Sequence, residues 1–131
     1  MADDFARGVE VRKTLFGAER TDKALASTDP LDQRFQDFLT KYCFGALWGR
    51  EGVAWRDRSL MTMAIVAAQH RFPEFETHVR LALKNGCERD VIIELVGHLA
   101  VYCGIPTGLE AYRTVQRVFQ ETPAPDVKGT A

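Results

Sequence analysis

Proline, paired cysteine, long apolar runs and an excess of either charge are all scarce in this sequence, and each shortage removes a class of protein. Five Pro and ten Gly among 131 residues are too few for a collagen-like or low-complexity chain. Three Cys with no Cys-x-x-Cys spacing supply neither a disulfide framework nor a paired-thiol redox centre. The start MADDFARG has neither the basic nor the apolar region of a secretory leader, so reduced thiols and a cytoplasmic location are expected. The longest nearly apolar run, Leu60 to Ala68, falls far short of the ~20 residues that cross a bilayer, so no membrane partner is expected. Lys plus Arg total 17 against 18 Asp plus Glu, a net charge of -1. That balance lacks the cationic field of a nucleic-acid binder. Strict two-residue alternation and a phosphate-binding glycine loop are also missing, which excludes a doubly wound dinucleotide fold.

What is present is helical periodicity. Phe5, Val9 and Phe16 mark a first helix that Gly17 can end, and Leu31, Phe35, Phe38, Leu39 and Tyr42 mark a second. The segment FGALWGREGVAW, with Gly45, Gly49 and Gly52, reads as a packed loop because glycine gives up the most backbone freedom in a helix. A third helix from Arg56 to His70 is apolar around most of its circumference, which predicts a central position. Arg56 and Arg58 open it at the unfavourable end of the helix dipole and call for acidic partners or solvent. Pro73 opens a fourth helix that Gly86 can stop. The fifth carries the stripe Val91, Leu95, Leu99 and Tyr102, and the sixth, from Gly108 to Gln120, buries Leu109, Tyr112, Val115 and Phe119. The expectation is an all-α, compact, six-helix single domain over residues 1–131 with a frayed tail at 122–131. Short connections after the third, fourth and fifth helices predict antiparallel neighbours, and surplus aromatic residues suggest a subunit interface.

Two Glu-x-x-x-His pairs carry the chemistry. Glu74 with His78, and Glu94 with His98, each place a carboxylate one turn from an imidazole, where it can orient the ring or tune its protonation. Helix-surface pairing is the bland alternative for both, and a shared cleft is the functional one. The helical-bundle metal motif is Glu-x-x-His, and no His-Glu-x-x-His occurs, so neither a metal nor a cofactor is expected. His70 reads as a cap at the end of the third helix. Cys43 and Cys103, beside aromatic stripes, read as buried inert thiols, and Cys87 as a cap-region or surface residue.

The stretches GVEVRKTLFG, YCFGALW, RDRSLMTMA, RFPEFETHVRLALKNGC, VIIELVGHLAVYCGIP and EAYRTVQRVF together resemble the carboxymuconolactone decarboxylase family, in its stand-alone form. The resemblance implies an alkyl hydroperoxidase D-like helical fold, assembly as a ring-like homohexamer, and decarboxylation of 4-carboxymuconolactone to 3-oxoadipate enol-lactone in protocatechuate breakdown. The family's redox branch carries Cys-x-x-Cys-x-x-x-His, which aligns here with Arg71, Glu74 and His78. Both cysteines are replaced, which disfavours a thiol-dependent peroxidase; a catalytically silent binding protein is the other alternative. Phe44, Ala46, Glu51 and the Thr107–Gly108 pair depart from the usual pattern. By this resemblance His78 is the proton donor or hydrogen-bonding electrophile, Glu74 its orienting partner, and His98 a contact to a carboxylate or lactone oxygen. The expected ligand is a small lactone dicarboxylate, so Arg58 and Arg71 are candidate carboxylate clamps, with Tyr102 as a pocket wall or a core residue.

Overall fold

The computed structural model describes residues 3–123. Among these residues every regular element is helical, as periodicity predicts, but seven α-helices and a π-helical segment replace the expected six helices. In chain order they are α1 (Asp4–Phe16), α2 (Ala18–Leu25), α3 (Pro30–Phe38), the π-helical segment (Leu39–Trp48), α4 (Trp55–Ala68), α5 (Phe72–Lys84), α6 (Arg89–Tyr102) and α7 (Ile105–Glu121). The expected frayed tail lies outside the described residues from position 124 on; Thr122 itself closes α7 through its N–H to the Val118 carbonyl at 2.9 Å.

The helices gather into two compact units divided between Ala54 and Trp55. In the first, α2 escapes the sequence reading because its eight residues hold no large apolar group except Leu25 and the one that is buried, Thr21, is polar. Residues 49–54 of the predicted loop carry no helix, as expected, but its first part belongs to a π-helical continuation of α3, burying Thr40, Phe44, Gly45 and Trp48. That spacing of four to five residues suits the wider turn of i→i+5 hydrogen bonding. Glycine is tolerated there because of a neighbour. A Cβ at Gly8 of α1 would lie 1.9 Å from the Thr40 carbonyl oxygen, and one at Gly45 would lie 1.8 Å from the Asp4 carbonyl oxygen. Each helix therefore presses a glycine against the other's main chain, a contact that no larger residue permits.

The second unit is a four-helix arrangement in which α4 and α7 each pack against both α5 and α6. Consequently α5 and α6 lie across the bundle from one another, although a short connection predicted them as neighbours. Its centre holds Met63, Phe75, Val79, Ile92, Val115 and Val118, all fully buried. Burying a side chain of this size stabilises the fold by about 1.5–3 kcal/mol.

Several predicted faces are rotated. α4 buries Ser59, Met63 and Ala67 but exposes Met61 and Ile65, so it is less central than its composition suggests. α7 starts at Ile105, since Pro106 fits a first helical turn, and it buries Ala111, Val115 and Val118 while Leu109 and Tyr112 remain exposed. The thiols are exchanged as well: Cys87 is buried, Cys103 is exposed and Cys43 is half-buried, all three being free. Cys87 follows Gly86 (φ 88°) in a turn where Gly86 N–H donates to Leu83 O at 3.1 Å and Cys87 N–H to Ala82 O at 2.9 Å. This closure folds the residue after the left-handed position back onto the helix, and so into the core.

Charged groups fasten the bundle ends. Arg56 pairs with both Asp57 and Glu88, supplying the acidic partner that its position at the start of α4 requires. Arg89 donates to the Phe119 and Thr122 carbonyls and lies 4.4 Å from the Phe119 ring centroid, closing the end of α7.

The glycine contacts predict an asymmetric outcome. Gly8→Ala and Gly45→Ala should each lower the unfolding free energy by about 3 kcal/mol or more. Gly97→Ala, where an added methyl meets nothing within 4 Å, should raise it by about 0.5–1 kcal/mol. Urea denaturation of the three variants checks both signs.

Candidate functional site

The connection from α4 to α5 builds the first Glu-His pair. α4 stops because His70 takes a left-handed conformation (φ 59°), the one non-glycine residue to do so among those described. His70 N–H donates to Ala67 O at 3.0 Å and Arg71 N–H to Val66 O at 2.8 Å, so the main chain of His70 closes the helix. Its predicted capping role thus comes from backbone geometry. Pro73 then sits in the first turn of α5, whose N-cap position is Arg71.

Within that turn the Arg71 guanidinium reaches Glu74 Oε1 at 2.5 Å. The hydrogen bond from Arg71 holds the Glu74 carboxyl below its ordinary range, and Glu74 in turn raises Arg71. One turn further along the same face stands half-buried His78. Burial pushes its imidazole below the ordinary value of 6.5, and the nearby Glu74 carboxylate opposes that shift in part. The result is a graded line on one helix: an exposed cation, an ionised carboxylate and a neutral imidazole. A neutral imidazole can offer an N–H to a developing oxyanion.

The other predicted residues stand elsewhere. Asn85 Nδ2 donates to the buried Ser59 Oγ at 3.0 Å, which places the start of α4 beside the end of α5. Arg58, half-buried next to Ser59, therefore sits at the opposite end of the α4–α5 hairpin from Arg71. The eleven steps from Glu74 to Asn85 span about 16 Å of helix, so Arg58 and Arg71 do not form one clamp. The Ser59–Asn85 bond was not anticipated, and its one sequence signal is a serine inside an otherwise apolar stripe.

Glu94 and His98 lie on α6, across the bundle, so the expectation of a shared cleft with Glu74 and His78 fails within this chain. They line an open pocket of about 410 Å³ together with Gly97, Val101 and Tyr102, all from α6. The His98 and Tyr102 rings stack at 6.1 Å with an interplanar angle of 11°. Tyr102 is 81% exposed, which excludes the core-packing role and leaves it as pocket wall. No hydrogen bond joins Glu94 to His98, so this pair lacks the orienting contact that its spacing suggested. Among the described residues no three His, Cys, Asp or Glu side chains converge as a metal-binding group.

The family model for the carboxymuconolactone decarboxylases matches residues 33–117, a span that contains both Glu-His pairs and more than half of the chain. The chain belongs to the carboxymuconolactone decarboxylase family. It is similar to the 4-carboxymuconolactone decarboxylase of Acinetobacter baylyi, with 31% identity over 117 residues covering 89% of this chain and 87% of that protein. It is similar also to the nitrosuccinic acid decarboxylase npaB of Metarhizium robertsii, with 34% identity over 117 residues and 89% and 82% coverage. An uncharacterised 15.0 kDa protein of Paracoccus denitrificans is 27% identical over 104 residues, with 78% and 73% coverage.

Titration of this carboxymuconolactone decarboxylase family member should report the site. The folded chain keeps His78 neutral to lower pH than the unfolded chain does. As pH falls through about 6.5 the unfolded state takes up the proton first, so stability drops until the folded imidazole also protonates. The depressed Glu74 carboxyl adds a second loss at lower pH, where the unfolded chain protonates that carboxyl before the folded chain does. Unfolding free energies measured from about pH 7 to about pH 5 should fall in the native chain and fall less in His78→Gln, which cannot titrate; equal slopes would remove the buried-imidazole account.

Proposed function

We propose that the protein is a cofactor-independent decarboxylase that converts 4-carboxymuconolactone to 3-oxoadipate enol-lactone and CO2, with His78 and Glu74 at its reacting centre. The observation that carries this reading is the Arg71–Glu74–His78 line on α5, in a family member whose matched relatives include two decarboxylases.

The chemistry asks little beyond charge stabilisation and one proton. The bond between the lactone ring and its carboxylate breaks, CO2 leaves, and the electron pair enters the ring as a dienolate spread towards the lactone oxygen. A proton added at ring carbon then gives the shifted alkene, and solvent restores the donor. His78 supplies the N–H that stabilises the dienolate oxygen and passes a proton, Glu74 orients the imidazole, and Arg71 neutralises a substrate carboxylate. The net charge of -1 leaves attraction of an anionic substrate to such focused groups. Within one chain His98 and Tyr102 stand away from this centre, so their contact to the distal carboxylate is made by a neighbouring subunit, and Arg58, at the far end of the hairpin, takes no part in the Arg71 clamp.

Nitrosuccinate is the second reading, favoured by the 34% identity to the nitrosuccinic acid decarboxylase. Loss of its carboxylate beside the nitro group likewise leaves a delocalised carbanion, as a nitronate, to be protonated at carbon. A thiol peroxidase is disfavoured: Arg71 and Glu74 stand where that chemistry needs cysteines, and burial pushes the Cys43 and Cys87 thiols up, away from reactive thiolate.

A homo-oligomer, in the family's case a ring-like hexamer, completes this reading. Leu31, Phe35, Phe38 and Tyr42 repeat at steps of four, three and four, and each is more than half exposed. Tyr102, Ile105, Leu109 and Tyr112 form a second exposed apolar run from α6 into α7. Apolar stripes of this kind support burial against another subunit.

Freshly generated 4-carboxymuconolactone should yield CO2 and the enol-lactone in equal amounts. His78→Gln should lower kcat/KM by about 10²–10⁴ while far-ultraviolet circular dichroism stays unchanged. Turnover of nitrosuccinate alone would select the second reading, and tight binding of the lactone without products would make the protein a silent binder. Light scattering should give six times the 14.7 kDa chain mass; a monodisperse monomer would defeat the assembly.

A further inference from the structure

The first unit carries a cationic group that the decarboxylation reading does not use. Arg12, half-buried on α1, lies 5.3 Å from the centroid of the buried Phe44 ring and donates one hydrogen bond, to Oγ1 of fully buried Thr40 at 3.1 Å. Phe44 meets Phe16 edge to face at 5.8 Å and 82°, and Arg20 of α2 lies 5.7 Å from the Phe16 ring centroid. Two guanidinium groups thus bracket one aromatic pair. Neither has a carboxylate within ion-pair distance among the described residues, whereas nearby Lys13 is paired with Asp22 at 3.7 Å and Arg7 with Asp4 at 3.3 Å.

A half-buried guanidinium without a counterion is costly, and the π-face and a hydroxyl offset only part of the lost hydration. Cys43 does not supply the missing charge: burial pushes its thiol up, so it stays protonated. Burial depresses Arg12 most, against a partial offset from Cys43, and repulsion from Arg20 adds to it. An incoming anion would relieve all of these effects at once. The remaining N–H edges of Arg12 match the two oxygens of a carboxylate, and the adjacent rings match a flat apolar body.

We propose that Arg12 and Arg20, set over Phe44 and Phe16, form a binding site for a small organic carboxylate that carries a flat apolar body. Arg12 takes the carboxylate oxygens, Arg20 adds a second positive charge, and the body lies along the Phe16 edge. The site is independent of His78, Glu74 and the reaction proposed for them.

Benzoate titrated into the 15N-labelled full chain, with the arginine side-chain N–H signals followed by NMR, tests the site. Saturable shifts of the Arg12 and Arg20 signals are expected, with acetate, which lacks the apolar body, binding more weakly. Arg12→Gln should weaken benzoate by roughly tenfold or more and Arg20→Gln by several-fold. Because Arg20 is exposed, its variant keeps the fold and preserves the test if Arg12→Gln unfolds. In His78→Gln benzoate binding should persist, so failure of the decarboxylase reading and failure of this one are distinguishable. No saturable shift at millimolar benzoate would overturn the proposal. Tighter binding of inorganic phosphate, shifts that follow protein rather than benzoate concentration, or loss of binding in His78→Gln would each overturn it too.

Discussion

Two main-chain hydrogen bonds at the end of α4, from His70 to Ala67 and from Arg71 to Val66, set the geometry on which the α5 site depends. They require His70 to adopt a left-handed backbone, at some energetic cost for a residue with a Cβ. In return the chain reverses within three residues, and α5 begins at Phe72 with its phase fixed. A slip of one residue would rotate every α5 side chain by about 100°, turning Phe75 and Val79 out of the core and Glu74 and His78 away from their positions. Core burial and the turn thus specify the same register.

Electrostatics then divides labour along that helix. Exposed Arg71 and half-buried Glu74 hold each other ionised, and a pair with one partner in water contributes little to stability. Its effect falls on charge state. His78, deeper, is kept neutral by desolvation and only partly rescued by Glu74. An imidazole that is easily polarised but not already charged suits a reaction in which negative charge appears only as CO2 departs. The same desolvation acts on Arg12 in the first unit, with no carboxylate in ion-pair contact among the described residues, which is the ground for the external anion proposed there.

Much of the helical content was legible in the amino-acid order because its signals are local. Pro73 at a first turn, Gly86 after a last turn and the spacing of Phe75, Val79 and Ala82 each depend on neighbours within one or two turns. The Glu74–His78 stacking was legible for the same reason. α2 was not, because its eight residues carry only Ala18, Ala24 and Leu25 as apolar groups and the one they bury is the polar Thr21. The π-helical segment was not, because glycine is a cost to an isolated helix and an advantage only where another backbone arrives. Tyr102 stayed open between pocket wall and core because an aromatic ring at helical spacing fits either, whereas only the neighbours of α6 decide which side of the stripe they cover.

The amino-acid sequence by itself determined the all-helical class, the ends of most helices, the carboxylate–imidazole spacing and the lack of paired thiols at the α5 site. These are short-range properties of backbone freedom, capping and side-chain periodicity. The tertiary structure alone decided that α5 and α6 lie across the bundle, that Arg58 and Arg71 occupy opposite ends of a hairpin, and that Cys87 rather than Cys103 is buried. It alone placed Gly8 and Gly45 against carbonyl oxygens, and Arg12 and Arg20 around one aromatic pair. Each of these depends on which surface of a helix another helix covers, a choice made by summed packing over many residues distant in the chain.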